Sequence, residues 1–470
     1  MKTVKDQFMK KILTLLLMFC GFTAVAQQYN NEWIRFDQTY YKFKVGSAGL
    51  YRIPKSVLDN AGIGGTSVEY FELWNNGRKI PFYASIASGT LPANGYLEFW
   101  ASANDGSVDK GLYRLPAYQH SDKISLLTDT AAYFLSVNNT GSGAKYTTIT
   151  NDPDASALPV ETSFMYTAGY YFREQINPGF AAVVGEYVYS SSYDKGEFWS
   201  TRDIYPSSPL LSTLTGLQVN SGVPTSYLRF GAAGNALNSR TLRISLNSTV
   251  IKDTVMDFFN DINSTVAIPT SLIAGGTANV TFSNTSAIST DRLVGSYFEI
   301  IYPRNYDFGG AANFGFELPA RSGGYKLEIS NFNTGSGAPV LLNLTTGQRF
   351  IGNIAVAGKV RFALPTSLVA CKYILASLDA SNVKTVGGIQ SKTFVNYSQA
   401  ANQGNYIIIS HPQLFNGSTG NNPVQDYAAY RQSATGGGFT SIVVNIDELV
   451  DQFAFGIKKH PLSIKNFLRY

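Results

Sequence analysis

The chain alternates. Trp33-Ile34-Arg35-Phe36 and Tyr41-Lys42-Phe43-Lys44-Val45 set apolar and polar residues in turn, the two-residue period of half-buried strands. Gly49-Leu50-Tyr51-Arg52-Ile53-Pro54 ends a further strand, and Lys55 to Gly62 reads as a short helix stopped by glycine. Tyr70 to Trp74, the turn Asn75-Asn76-Gly77 and Arg78 to Phe82 spell strand, tight turn, strand. Tyr96 to Trp100 and Ala132 to Val137 continue the series, giving an N-terminal β-rich domain over 27–150. Asn151 to Pro159 is a polar, proline-containing linker.

Beyond it, short strands recur between turn signals. Thr241 to Asn247 and Arg292 to Tyr302 are the clearest in one stretch; Tyr325 to Ile329, Val340 to Leu344 and Val360 to Leu364 are the clearest in the next. This spacing predicts two β-sandwich-like domains, 151–304 and 305–402. After Asn402 the pattern changes. Tyr406-Ile407-Ile408-Ile409-Ser410 and Thr440 to Ile446 are continuous apolar runs suited to strands buried on both faces. Val424 to Ser433 lies between them as a helix, a second helix begins after a capping Asn445 or Asp447, and a third follows Pro461. Strand, helix, strand, helix opens a parallel α/β domain over 403–470. Two strands cannot bury a two-faced sheet, so this domain reads as unfinished and, taken alone, as poorly stable. The fold class is therefore mostly β, ending in the start of an α/β domain.

Composition narrows the setting. The 29 Tyr, 30 Phe and 43 Gly fit a strand-and-turn protein. Lys2, Lys5, Lys10 and Lys11 precede an uncharged run from Ile12 to Ala26, ending in Ala24-Val25-Ala26. That run is roughly 15 residues, short of the ~20 that span a bilayer, so 1–26 is expected to be a signal peptide cleaved between Ala26 and Gln27. A lipoprotein signal at Cys20 would need a small residue where Phe19 stands. Loss of the leader takes four Lys and one Asp and lowers the formal charge from +5 to +2. Such a chain has no electrostatic footprint for nucleic acid. It also leaves Cys371 as the one thiol, so no internal disulfide can form. The expected location is exported: cell surface, extracellular or periplasmic.

Candidate chemistry is sparse. Cys371 and His411 could tempt as a dyad, but Cys371 lies in a sandwich strand as a small core residue would. His411-Pro412 reads as a strand end, and His460-Pro461 as a helix start. His120 sits in a polar loop with no visible partner, and three scattered His give no metal-ligand spacing. Asn104-Asp105-Gly106 and Asn151-Asp152-Pro153-Asp154 could hold calcium, though ordinary turns are favoured. Gly436-Gly437-Gly438 lacks the lysine of a phosphate loop. Trp74, Trp100 and Trp199 could line a sugar face or fill cores. The Asn-x-Ser/Thr triplets at Asn247 and Asn284 arise readily in so polar a chain.

The stretch Asn405 to Tyr470, with Tyr406-Ile407-Ile408-Ile409-Ser410-His411-Pro412, Asp451-Gln452-Phe453-Ala454-Phe455-Gly456 and Ile464-Lys465-Asn466-Phe467-Leu468-Arg469-Tyr470, resembles the start of the gingipain-type cysteine peptidase domain. Gly49 to Ile53, Phe71 to Gly77, Tyr96 to Trp100 and Leu126 to Leu135 resemble the region that precedes it, an arrangement known in type IX secretion sortases. The resemblance implies a caspase-like fold and a Cys-His dyad, both members of which lie further along the family's domain. No catalytic, cofactor or metal residue is therefore assigned in this chain, and the 470 residues alone are expected to be inactive. Implied partners are protein substrates, including type IX cargo, and outer-membrane secretion components. The competing class is a non-enzymatic adhesin binding glycan or protein, which an exposed row of Trp and Tyr would favour.

Overall fold

The structure, a computed structural model, describes residues 28–141, 143–183, 187–190 and 193–470. The expected leader, 1–26, and the Ala26–Gln27 junction lie outside them. The chain is mostly β, and the longest helix among the described residues has 10 residues. No helix among the described residues is long and apolar enough to cross a membrane.

The N-terminal body packs two sheets face to face. One has the order Gln390–Lys392, Tyr40–Val45, Ala131–Val137, Phe71–Asn75, Arg78–Ile80; the other runs Lys384–Thr385, Gly49–Pro54, Tyr96–Ala101, Tyr83–Ala84. Phe43, Val45, Ile53, Phe71, Leu73, Phe99 and Leu135 fill the space between. The expected hairpin is present: Asn76 and Gly77 have φ of 46° and 71°, the two positive values a two-residue hairpin turn needs. The helix Lys55–Asn60 also forms, with Gly62 past its end at φ 75°.

The middle sandwich sets Leu210–Leu214, Ala278–Asn284, Ser239–Leu246 and Thr249–Asp257 against Asp261–Pro269, Thr225–Gly234, Leu293–Asn305 and Ser163–Tyr171. A third sandwich sets Asp307–Ala311, Tyr325–Phe332 and Lys359–Leu364 against a five-stranded sheet. That sheet orders Asn313–Leu318, Cys371–Ala376, Val340–Asn343, Gln348–Ile351 and Thr147–Ile149.

Pairing crosses the boundaries drawn from sequence. Thr147–Ile149, placed with the N-terminal domain, pairs in parallel with Gln348–Phe350 of the third sandwich. Lys384–Thr385 and Gln390–Lys392, placed in the third sandwich, return to edge both N-terminal sheets. These short strands carry little local pattern; their partners, hundreds of residues away, supply their backbone hydrogen bonds.

In the middle sandwich the Arg240 guanidinium and Asp291 carboxylate are both fully buried and joined at 2.7 and 2.8 Å. Asn238 and Asn284 donate to the same carboxylate, and Arg240 also donates to the carbonyls of Ala236 and Phe258. Burial pushes the Asp291 carboxyl up, but these donors outweigh it and hold the group below its ordinary value. Its contribution is thus full above the unfolded value near ~3.9 and is lost as pH falls through the lower folded value. Asp291→Ala should cost about 3–5 kcal/mol by leaving Arg240 buried and unpaired, read as a lower urea midpoint at pH 7.

Candidate functional site

The first N-terminal sheet carries a buried apolar cluster on its outer face as well as on its inner one. Its outer face carries Tyr40, Trp74, Ala132 and Phe134, which cluster with Trp33, Ile34 and Phe394. Trp33 is the hub, with ring centroids 5.0 Å from Phe134, 5.3 Å from Tyr40 and 5.6 Å from Phe394. Phe455 of the C-terminal segment packs onto this cluster. The turn after it brings Gly456, at φ 78°, so close that a Cβ there would lie 2.5 Å from that of Ala132. Only glycine permits that approach.

The segment is the expected α/β unit. Tyr406–Ser410 and Ser441–Asn445 pair in parallel, with helix Pro423–Gln432 between them. Asn445 caps helix Ile446–Phe453 by accepting from Asp447 N–H at 2.9 Å, and helix Leu462–Arg469 follows. Val444, Leu449, Phe453 and Phe467 form its core, completed by Tyr397 and Tyr29 from outside the helices and strands. The strands are not sealed on both faces here: Ile407 is 41% exposed. Apolar composition led the reading to full burial, and two strands and three helices do not enclose them.

Polar groups complete the docking. Lys42 pairs with Asp451, and Lys392 pairs with Glu448 and lies 3.7 Å from Asp451. Glu448 accepts from Val395 N–H at 2.9 Å, and Gln452 donates to Val395 O at 3.0 Å. Asn31 donates to Gln452 and Asn30 to Phe453 O. Beside this contact opens a cleft of about 830 Å³ lined by Trp33, Asn76, Arg78, Phe455 and Arg469.

The candidate residues scatter. Cys371 is 2% exposed in the core of the third sandwich, its Sγ 3.2 Å from Ser367 Oγ. His411 lies exposed at the end of the first parallel strand, accepting from Gln413 N–H at 3.2 Å. The structure does not bring the two together. His120 is a correction: it is buried, its Nε2 donates to Asp261 at 2.9 Å, and its Nδ1 is 2.9 Å from Ser296 Oγ. A polar run around a histidine carries no trace of a partner 141 residues away. Burial pushes the Asp261 carboxyl up, but the bond and charge of His120 outweigh it and hold the group below its ordinary value. His460 does stand before a helix, but it is also fully buried, with Nε2 3.1 Å from Asp109 Oδ1.

The other candidates are engaged in the fold. Asn104 donates to Thr128 O, Asp105 accepts from Ser107 N–H, Asn151 ties Ile351 and Arg361, and Asp154 pairs with Arg361. Among the described residues no group of three or more His, Cys, Asp or Glu is placed to hold a metal. Trp74 is buried and donates to Ser136, Trp100 packs against a core, and Trp199 donates to Ser125 O. Gly436 to Gly438 form a turn. Asn247 donates to two backbone carbonyls, and Asn284 is 3% exposed against Asp291.

Residues 399–470 match the family model of peptidase family C25. The gingipain resemblance read from the sequence is thereby borne out, and it falls on the α/β unit just described. The fold of the chain is similar to dimeric latent PorU from Porphyromonas gingivalis, with a TM-score of 0.58 and 14% identity. That match covers 92% of this chain and 39% of the PorU chain, so the C25 unit and the β-domains before it span well under half of that structure's length. At this identity the likeness is one of fold. A carbohydrate-binding module of family 36, in complex with calcium and xylotriose, matches 28% of this chain and 98% of its own at 11% identity and a TM-score of 0.19. No curated protein sequence matches the chain.

Phe453 anchors the C25 unit: it is fully buried, with ring centroids 5.7 Å from Phe467 and 6.4 Å from Tyr397. Phe453→Ala should cost the unit about 3–5 kcal/mol. Limited proteolysis should then cut within 399–470 while the sandwiches stay intact.

Proposed function

We propose that this chain is the N-terminal portion of an exported gingipain-like cysteine peptidase, and in particular of a type IX secretion sortase that removes C-terminal sorting signals from cargo. The observation that carries the reading is the C25 match on an α/β unit seated on β-domains whose fold is PorU-like. In this reading the β-domains form the platform that orients the peptidase. A histidine and a cysteine beyond Tyr470 supply the dyad, in which the imidazole draws the proton from the thiol and the thiolate attacks the peptide carbonyl. Residues 1–470 alone are then inactive, the substrates are proteins, and secretion components of the outer membrane are partners at the cell surface. The adhesin alternative gains no support from the tryptophans, which serve cores and backbone hydrogen bonds.

The test is to read the coding sequence past the codon for Tyr470 and assay the full product. A frame that continues to a His and then a Cys, each just beyond a buried strand, is expected, and replacing that Cys by Ala should abolish cleavage of sorting-signal peptides. A stop codon directly after Tyr470 would defeat the peptidase reading.

A further inference from the structure

We propose that the loop 104–128 couples the middle sandwich to the C25 unit through two histidine–carboxylate pairs whose imidazoles are buried. The loop leaves the N-terminal body after strand Tyr96–Ala101 and returns before Ala131–Val137, yet its buried polar contacts lead to both neighbours.

At one end it meets the C25 unit. His460 Nδ1 accepts from Leu462 N–H at 3.2 Å, so the ring proton sits on Nε2 and is donated to Asp109 Oδ1 at 3.1 Å. Asp109 Oδ2 in turn accepts from Leu126 N–H at 2.7 Å, and Ser125 donates to Oδ1 at 3.3 Å. Lys465 donates to Gly111 O, and a Cβ on Gly111 would come 3.0 Å from the Leu462 side chain. The two surfaces are fitted closely.

At the other end the loop meets the middle sandwich. His120 bridges Asp261 and Ser296, and Asn263 donates to His120 O. The seat for the ring is built into the sheet. The register between Thr225–Gly234 and Leu293–Asn305 shifts at Gly231/Ala232, which face Tyr297 and Gly295, so that Ser296 is the extra residue of a bulge. A Cβ on Gly231 would stand 2.6 Å from His120 Nδ1 and 2.4 Å from Ser296 Oγ.

The two pairs are joined. Trp199 donates to Ser125 O at 2.9 Å, while its neighbour Phe198 lies under the His120 ring at 4.4 Å between centroids. A continuous path thus runs His460, Asp109, Ser125, Trp199, its chain neighbour Phe198, His120, Asp261. A partner that shifts the middle sandwich is felt at the helices of the C25 unit, and the coupling is reciprocal. This rests on the proposed function only for what the coupled unit does, because amide exchange does not depend on catalysis.

Hydrogen exchange on the whole chain tests it. Asp261→Asn should speed exchange of amides in Ile446–Phe453 and Leu462–Arg469 about fivefold or more. Ser296→Ala should speed the same amides to a smaller degree and serves alone if the first variant does not fold. Asp253→Asn, which breaks the exposed pair with Arg243 in the same sandwich, should leave them unchanged. Acceleration confined to 104–128 and the middle sandwich, with the two C25 helices unchanged, would overturn the proposal.

Discussion

Two parallel strands and three short helices cannot enclose a core, and the architecture turns on what covers them. The strands Tyr406–Ser410 and Ser441–Asn445 bring apolar runs that stay partly open to solvent. The segment therefore finds part of its cover in the N-terminal body: Phe455, just past helix Ile446–Phe453, packs onto the cluster that Trp33, Ile34 and Phe394 form with Tyr40, Trp74 and Phe134 of the sheet's outer face. Covering that face serves both sides, since an aromatic patch of this kind left bare would be an aggregation hazard. Lys42, Lys392 and the acids Glu448 and Asp451 fix the register of the contact. Their net energy is modest, because desolvating charges offsets much of the attraction; their weight lies in orientation.

The same logic explains why the chain interleaves. Gln390–Lys392 both edges the N-terminal sheet and leads, through Phe394, Val395 and Tyr397, into the contact with Glu448, Gln452 and Phe453. The middle and third sandwiches are thus inserted in sequence between an N-terminal body and the strand that completes it. The peptidase-family unit begins where that strand ends, so its position is set by the body rather than by a free linker.

Much of this was legible locally. The Asn76-Gly77 hairpin, the glycine-stopped helix at Lys55 and the Asn445 cap each depend on neighbours within a few residues, and each formed where the pattern placed it. What sequence concealed is long-range. Lys42 reads as a solvent-facing residue of a half-buried strand, because nothing nearby announces Asp451. His120 and His460 read as loop and helix-start residues for the same reason, although each is buried against a carboxylate more than a hundred residues away. The edge strands at 147–149, 384–385 and 390–392 are too short to show a period, and only their partners make them strands.

The contacts of Lys42, Lys392 and Val395 with Asp451, Glu448 and Gln452 make the order of the C25 unit depend on the N-terminal body. Amide exchange at Leu449, Val450 and Phe453 should therefore be compared between the whole chain and an isolated 399–470 peptide. Strong protection in the chain, with exchange near the random-coil rate in the peptide, is the expected result. Equal protection in both would show that the unit folds by itself and would contradict the account.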